Sequence, residues 1–131
     1  MRSGTASTQT GTALSDPRRT GTTLLDTDVL IDHLQGHRAL ELDELTVSVI
    51  TQAELFAGNQ REEPAIEALL TRLTTVDVDA TIARVAGRIR RSTRLGLADA
   101  LIAATAVEHQ LPLMTRNRRH FERVPGLQLV A

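Results

Sequence analysis

The sequence predicts an α/β fold, a three-layer α/β/α sandwich around a mostly parallel central sheet. Short β-branched or leucine-rich runs alternate with helical periodicity along the chain, and alternating β and α segments place parallel strands between helices. Single carboxylates stand where these apolar segments begin or end, at Asp26, Glu54 and Asp99. The chain has 131 residues and no cysteine, which means one domain, a core of useful size without staples, and no thiolate chemistry.

Residues 1–22 stand apart. Nine Ser/Thr and three Gly fill twelve of these positions, too little apolar surface to offset ordering entropy, so a disordered leader is expected with the globular domain over residues 23–131. No apolar h-region is seen near the start, and no run approaches the roughly 18–20 residues of a membrane span. A cytoplasmic protein without a membrane partner is the expectation.

Thr23-Leu24-Leu25-Asp26 reads as a buried strand. Asp28 to Gln35 reads as a short helix closed by Gly36, a natural residue just past a helix end. Ala39 to Leu45 reads as a second short helical piece, and Thr46 to Ile50 as a strand. Thr51 to Ala57 reads as a helix ended by Gly58. Ile66, Leu69, Leu70 and Leu73 share one face of a helix over residues 62–73. Val76 to Val78 reads as a strand. A helix over residues 80–93 turns Ile82, Val85 and Ile89 inward and Arg84, Arg88 and Arg91 outward. The alanine-rich Leu97–His109 segment is the strongest helix. Leu113–Thr115 and Leu127–Val130 read as the last strands.

Charge is segregated. Residues 23–83 hold three arginines and twelve acids, and residues 84–131 hold nine arginines and three acids. Every basic residue other than histidine is Arg. A guanidinium binds phosphate through a planar fork that an ammonium lacks.

Each acid has a structural reading beside a functional one. Thr51-Gln52-Ala53-Glu54 spells a capping box, in which Glu54 bonds the Thr51 backbone amide. Asp99 suits the positive end of its helix, and Asp28 suits a cap. Asp26 differs, because an unpaired carboxylate ending a buried strand is costly. Jointly, acids at several strand ends of one sheet repel one another unless a cation intervenes. Oxygen donors without Cys, and without His at ligand spacing, select Mg²⁺ or Mn²⁺. His33, His37 and His109 read as surface or loop residues, while His120 falls in an arginine cluster beside the acids.

Four segments in order, Leu24-Leu25-Asp26-Thr27-Asp28-Val29-Leu30-Ile31-Asp32, Ile50-Thr51-Gln52-Ala53-Glu54-Leu55-Phe56-Ala57-Gly58, Ala98-Asp99-Ala100-Leu101-Ile102-Ala103-Ala104 and Thr115-Arg116-Asn117-Arg118-Arg119-His120-Phe121, resemble the motifs of PIN-domain proteins, in detail the VapC-type toxins of bacterial toxin–antitoxin pairs. The resemblance runs from about Thr23 to Val130. It implies a PIN-like sandwich and a Mg²⁺- or Mn²⁺-dependent endoribonuclease, hydrolysing RNA through a water activated at the cation and so inhibiting translation and growth. Asp26, Glu54 and Asp99 would be the catalytic, metal-binding carboxylates, with Asp28 and Thr115 in support. The family often carries a fourth acid near Thr115. Asn117 stands there, offering a carbonyl oxygen without charge, so a second cation is not implied. A cognate antitoxin and a homodimer are implied as partners.

Arg116, Arg118, Arg119 and His120 are the candidates for holding RNA, with Arg123 near them and Arg84, Arg88 and Arg91 extending the track. With no Trp or Tyr and two Phe, stacking is not the main grip, which falls to phosphate contacts. A dehalogenase-like phosphatase fits poorly, because its DxDx(T/V) pattern meets Leu30 and no lysine is present. A catalytically inactive PIN-like RNA-binding module is the alternative, and a plain interaction domain would show neither activity.

Overall fold

The computed structural model describes residues 22–130. The expected leader, residues 1–22, lies outside the described residues but for its last position. Five parallel strands form one sheet in the order β3-β2-β1-β4-β5, namely Thr74–Val76, Leu45–Ser48, Thr23–Leu25, Leu113–Met114 and Leu129–Val130. The helices are α1 (Thr27–Leu34), α2 (Val49–Phe56), α3 (Glu63–Leu70), α4 (Ala80–Ser92), α5 (Leu97–Glu108) and α6 (Arg118–Phe121).

Adjacent residues of β1 point to opposite faces of the sheet, and each begins its own core. Leu24 joins Ile82 and Ile89 of α4, Ile102 of α5 and Phe121 of α6. Leu25 joins Val29 and Leu30 of α1, Leu55 of α2, and Ile66 and Leu69 of α3. The result is the three-layer sandwich expected, with its sheet wholly parallel.

Local sequence explains most boundaries. Gly36 takes φ +80° just past α1, where an L side chain would be strained. Asp79 caps α4 by accepting from the Ile82 amide at 2.9 Å. Ala100, Ala103, Ala104 and Ala106 are all buried, which lets α5 pack closely in the core and leaves it no polar face to speak of.

Among the boundaries that differ from the sequence expectation, three have a clear local cause. Residues 39–45 form only a 3-10 turn at Leu42–Glu44, because only Leu42 and Leu45 of that segment are buried and one anchored turn cannot repay helix nucleation. Ser48 caps the Ile50 amide at 3.0 Å, so β2 stops at Ser48 and α2 starts at Val49. β3 is Thr74–Val76, two residues early, since Thr46, Val47 and Ser48 of β2 pair with Thr74, Thr75 and Val76. A short helix, α6, occupies a stretch read only as a cluster of charges.

Candidate active site at the carboxyl ends of the strands

The register of β1 and β4 builds the centre. Leu25 pairs with Met114, so the next residues, Asp26 and Thr115, emerge side by side. The Asp26 amide donates to the Met114 carbonyl at 2.9 Å. The Thr115 hydroxyl donates to Asp26 Oδ2 at 2.8 Å. Asp26 also caps α1, its Oδ1 accepting from the Thr27 amide at 2.8 Å. Both oxygens are therefore fixed, and the residue is 5 % exposed.

Burial pushes the Asp26 carboxyl above its ordinary value. The Thr115 bond pulls it down, nearby Asp99 pushes it up, the Thr27 amide pulls it down and Asp28 pushes it up. The net upward direction reflects chiefly the cost of burying a charged carboxylate, with the neighbouring acids adding to it.

Glu54 reaches the site from α2. Because α2 begins at Val49, Thr51 is inside the helix and does not cap it. The capping-box reading of Glu54 is thus replaced: Glu54 Oε1 accepts from the Thr27 hydroxyl at 2.6 Å. The Thr51 and Thr27 hydroxyl oxygens lie 3.0 Å apart. Since Thr27 gives its proton to Glu54, Thr51 is the donor to Thr27. A chain of hydroxyls from buried Thr51 through Thr27 thus aims Glu54, whose residue is otherwise open to solvent.

Asp99 comes from the first turn of α5. His120 Nε2 lies 2.9 Å from Asp99 Oδ2. A carboxylate only accepts, so Nε2 carries the donated hydrogen. Asn117 donates its backbone amide to the Thr115 hydroxyl at 3.0 Å, tying α6 to the Asp26 bond.

These groups share one cavity of about 410 Å³, lined by Asp26, Asp28, Glu54, Asp99, Asn117 and His120 with Thr27, Ile31 and Phe121. The structure therefore brings together all three leading acids, Asp28 and Asn117, with Thr115 behind Asp26. It treats the basic residues differently. Arg116 is engaged by α1, 2.8 Å from Asp32 and 3.9 Å from Asp28. Arg118 is exposed on α6, Arg119 lines a separate cavity, and His120 lies on Asp99. Sequence reasoning passed over Thr27 and Thr51 as site residues. Their signals were a hydroxyl between two aspartates and a threonine three residues before Glu54 on a helix.

The cavity suits a hard divalent cation in donor type and charge: four carboxylates, an amide carbonyl and no guanidinium line it. The acids nevertheless do not converge, for among the described residues no three His, Asp or Glu side chains gather as a ready-made metal cluster. No described helix is long and apolar enough to cross a membrane.

The PIN domain family model matches residues 23–127. The ribonuclease VapC19 of Mycobacterium tuberculosis is 36 % identical over 120 residues, covering 80 % of this chain and 96 % of its own. The tRNA(fMet)-specific endonuclease VapC of Salmonella typhimurium is 30 % identical, covering 81 % of this chain and 94 % of its own. Among solved structures, a toxin–antitoxin complex from Klebsiella pneumoniae superposes with a TM-score of 0.68 at 31 % identity, covering 80 % of this chain and 94 % of that one.

Proposed function

Given that the chain belongs to the PIN-domain family, in its VapC group, we propose that it is a toxin endoribonuclease that hydrolyses RNA phosphodiester bonds with Mg²⁺ or Mn²⁺. The observation that carries this reading is one cavity lined by four carboxylates, Asp26, Asp28, Glu54 and Asp99, with Asp26 buried at its head. Negative charge gathered in this way is relieved by a cation.

Asp26, Glu54 and Asp99 would hold the cation, with Asp28 at its rim. When bound, it makes water a better nucleophile at neutral pH and offsets charge on the phosphate. The residues supply the order around it. Thr115 and the Thr27 amide fix both Asp26 oxygens, and Thr27 holds Glu54. The Nε2 hydrogen of His120 holds Asp99. Asn117 presents an uncharged amide at the cavity edge, where a phosphate can approach without added repulsion.

Hydrolysis forms a bond from the water oxygen to phosphorus and breaks one ester P–O bond, the leaving oxygen taking a proton. The relatives named as ribonuclease and endonuclease support RNA as substrate. The solved toxin–antitoxin complex supports a cognate antitoxin as partner, with a homodimer as the assembly the family implies. A cytoplasmic location follows from that substrate.

The test is end-mapping of total bacterial RNA after incubation with the purified protein, with Mg²⁺ or Mn²⁺, beside Asp99→Asn. Discrete new ends that vanish with the variant and with chelator are expected. RNA binding without such ends, in folded protein free of antitoxin, would replace the proposal with a non-catalytic RNA-binding module.

A further inference from the structure

A second cavity, of about 610 Å³, adjoins the acid cavity and is lined by Arg91, Arg94, Arg119 and Arg123. His120 lines both cavities. One imidazole, held on Asp99 at 2.9 Å, is thus the partition between an acidic chamber and a basic one.

The four arginines come from two places in the chain. Arg91 is in the last turn of α4 and Arg94 in the loop to α5, while Arg119 is on α6 and Arg123 just beyond it. Favourable interaction with a helix C-terminus accounts for Arg91 in the last turn of α4 and in part for Arg119 in the four-residue α6, but not for Arg123, which comes from beyond α6. Among the described residues, none of the four guanidinium groups has a carboxylate partner. The hydroxyls lining the cavity are used internally. Thr93 donates to the Ile89 carbonyl at 2.7 Å, and Ser92 donates to the carbonyls of Arg88 and Ile89, both at 3.3 Å. The guanidinium groups are left as donors. Bringing four like charges together without a counterion is unfavourable, and a phosphate matches the guanidinium fork.

We propose that this arginine cavity is a binding site for a backbone phosphate of the RNA substrate, next along the strand from the bond cleaved in the acid cavity. The proposal rests on the nuclease reading for its position relative to cleavage. It adds a register: a strand that threads past His120 lays one phosphate among arginines and its neighbour among the acids. Recognition is through charge and strand path, since His120, the aromatic ring among the lining residues, is held on Asp99.

The experiment measures binding of oligouridylate by the full chain, in chelator to prevent cleavage, over a series of salt concentrations. Arg94→Gln with Arg123→Gln is compared with wild type and with Arg61→Gln plus Arg72→Gln, an equal charge loss outside both cavities. Arg91→Gln with Arg119→Gln is an independent second pair, and melting temperatures verify folding. Each cavity pair should weaken binding and flatten the slope of log K against log salt by about 0.7 for every phosphate that is no longer neutralised. The outside pair should leave the slope in place.

Equal slopes for all pairs would overturn the proposal in favour of diffuse attraction. A parallel loss of binding to polyglutamate would overturn it in favour of an acidic protein partner. Wild type that binds in this way but never cleaves would remove the nuclease reading and keep the phosphate site. Cleavage intact with equal slopes would do the reverse.

Discussion

Replacing Thr27 by Val tests the hydroxyl chain that aims Glu54. The two side chains have nearly the same shape, so the change removes one hydroxyl from a buried position with little repacking. Two bonds go at once, the donation to Glu54 at 2.6 Å and the acceptance from Thr51. A bond to a charged group contributes about 1.5–3 kcal/mol, and the lower end applies because Glu54 is open to water. The larger consequence falls on Thr51, which is fully buried. Its hydroxyl loses its partner, and a buried unsatisfied hydroxyl costs about 1–3 kcal/mol.

The total for Thr27→Val is therefore roughly 2–4 kcal/mol, allowing for partial relaxation. Thr51→Val alone loses one neutral bond, about 0.5–1.5 kcal/mol. The two are coupled with a definite sign. In the Thr27→Val background, Thr51→Val removes an orphaned group and should be neutral or stabilising. Urea unfolding of the four proteins in chelator gives the cycle. In parallel, Thr27→Val should weaken Mn²⁺ binding or RNA cleavage by about 10–100-fold, the range for removing a residue that orients a ligand. Strict additivity of the two stability changes, with Mn²⁺ binding unaltered, would refute the chain.

Three further outcomes follow from single groups. Because the Asp26 pKa is raised in the folded chain above 3.8, its contribution to stability is fully present below that unfolded value and is lost as pH rises through the folded one. In chelator, Asp26→Asn should therefore raise the melting temperature at neutral pH and flatten the pH dependence above the ordinary carboxyl value, while removing cleavage. Among the described residues, Thr46 Oγ1 in β2 is buried without a hydrogen-bond partner, so Thr46→Val should stabilise by about 1–2 kcal/mol in a denaturant melt. Gln110 holds φ +56° just past α5, and Gln110→Gly should add about 0.5–1 kcal/mol by relieving that strain, with cleavage unchanged.

The positions of the acids were legible because they sit at changes of periodicity, and a parallel sheet collects strand ends on one edge. Asp26, Glu54 and Asp99 could be assigned to one site on that ground alone, whereas Asp28 entered it only through the family resemblance. What each oxygen accepts was not legible. Glu54 sits three residues after Thr51 and so mimics a capping box, yet Ser48 starts the helix one residue before Val49 and frees Glu54 to meet Thr27 from another helix. His120 and Asp99 are 21 residues apart, a pairing fixed by how α6 docks and by nothing local. Arg116 was read with its neighbours as part of an RNA track, because sequence shows charge but not partner, and Asp32 engages it at 2.8 Å. The short turn at Leu42–Glu44 shows the reverse limit, where helical composition lacked enough buried side chains to make a helix.

The most direct test of the central claim is the chemistry of the cleaved ends, read by mass spectrometry of RNA digested with Mn²⁺ in ¹⁸O-labelled water. Attack by water, organised by Asp26, Glu54 and Asp99, predicts a terminal phosphate monoester carrying one ¹⁸O at each cut, absent with chelator and with Asp99→Asn. Chelator-resistant cuts ending in an unlabelled 2′,3′-cyclic phosphate would contradict it, because the ribose hydroxyl would then be the nucleophile and the acid cavity would not be where the bond breaks.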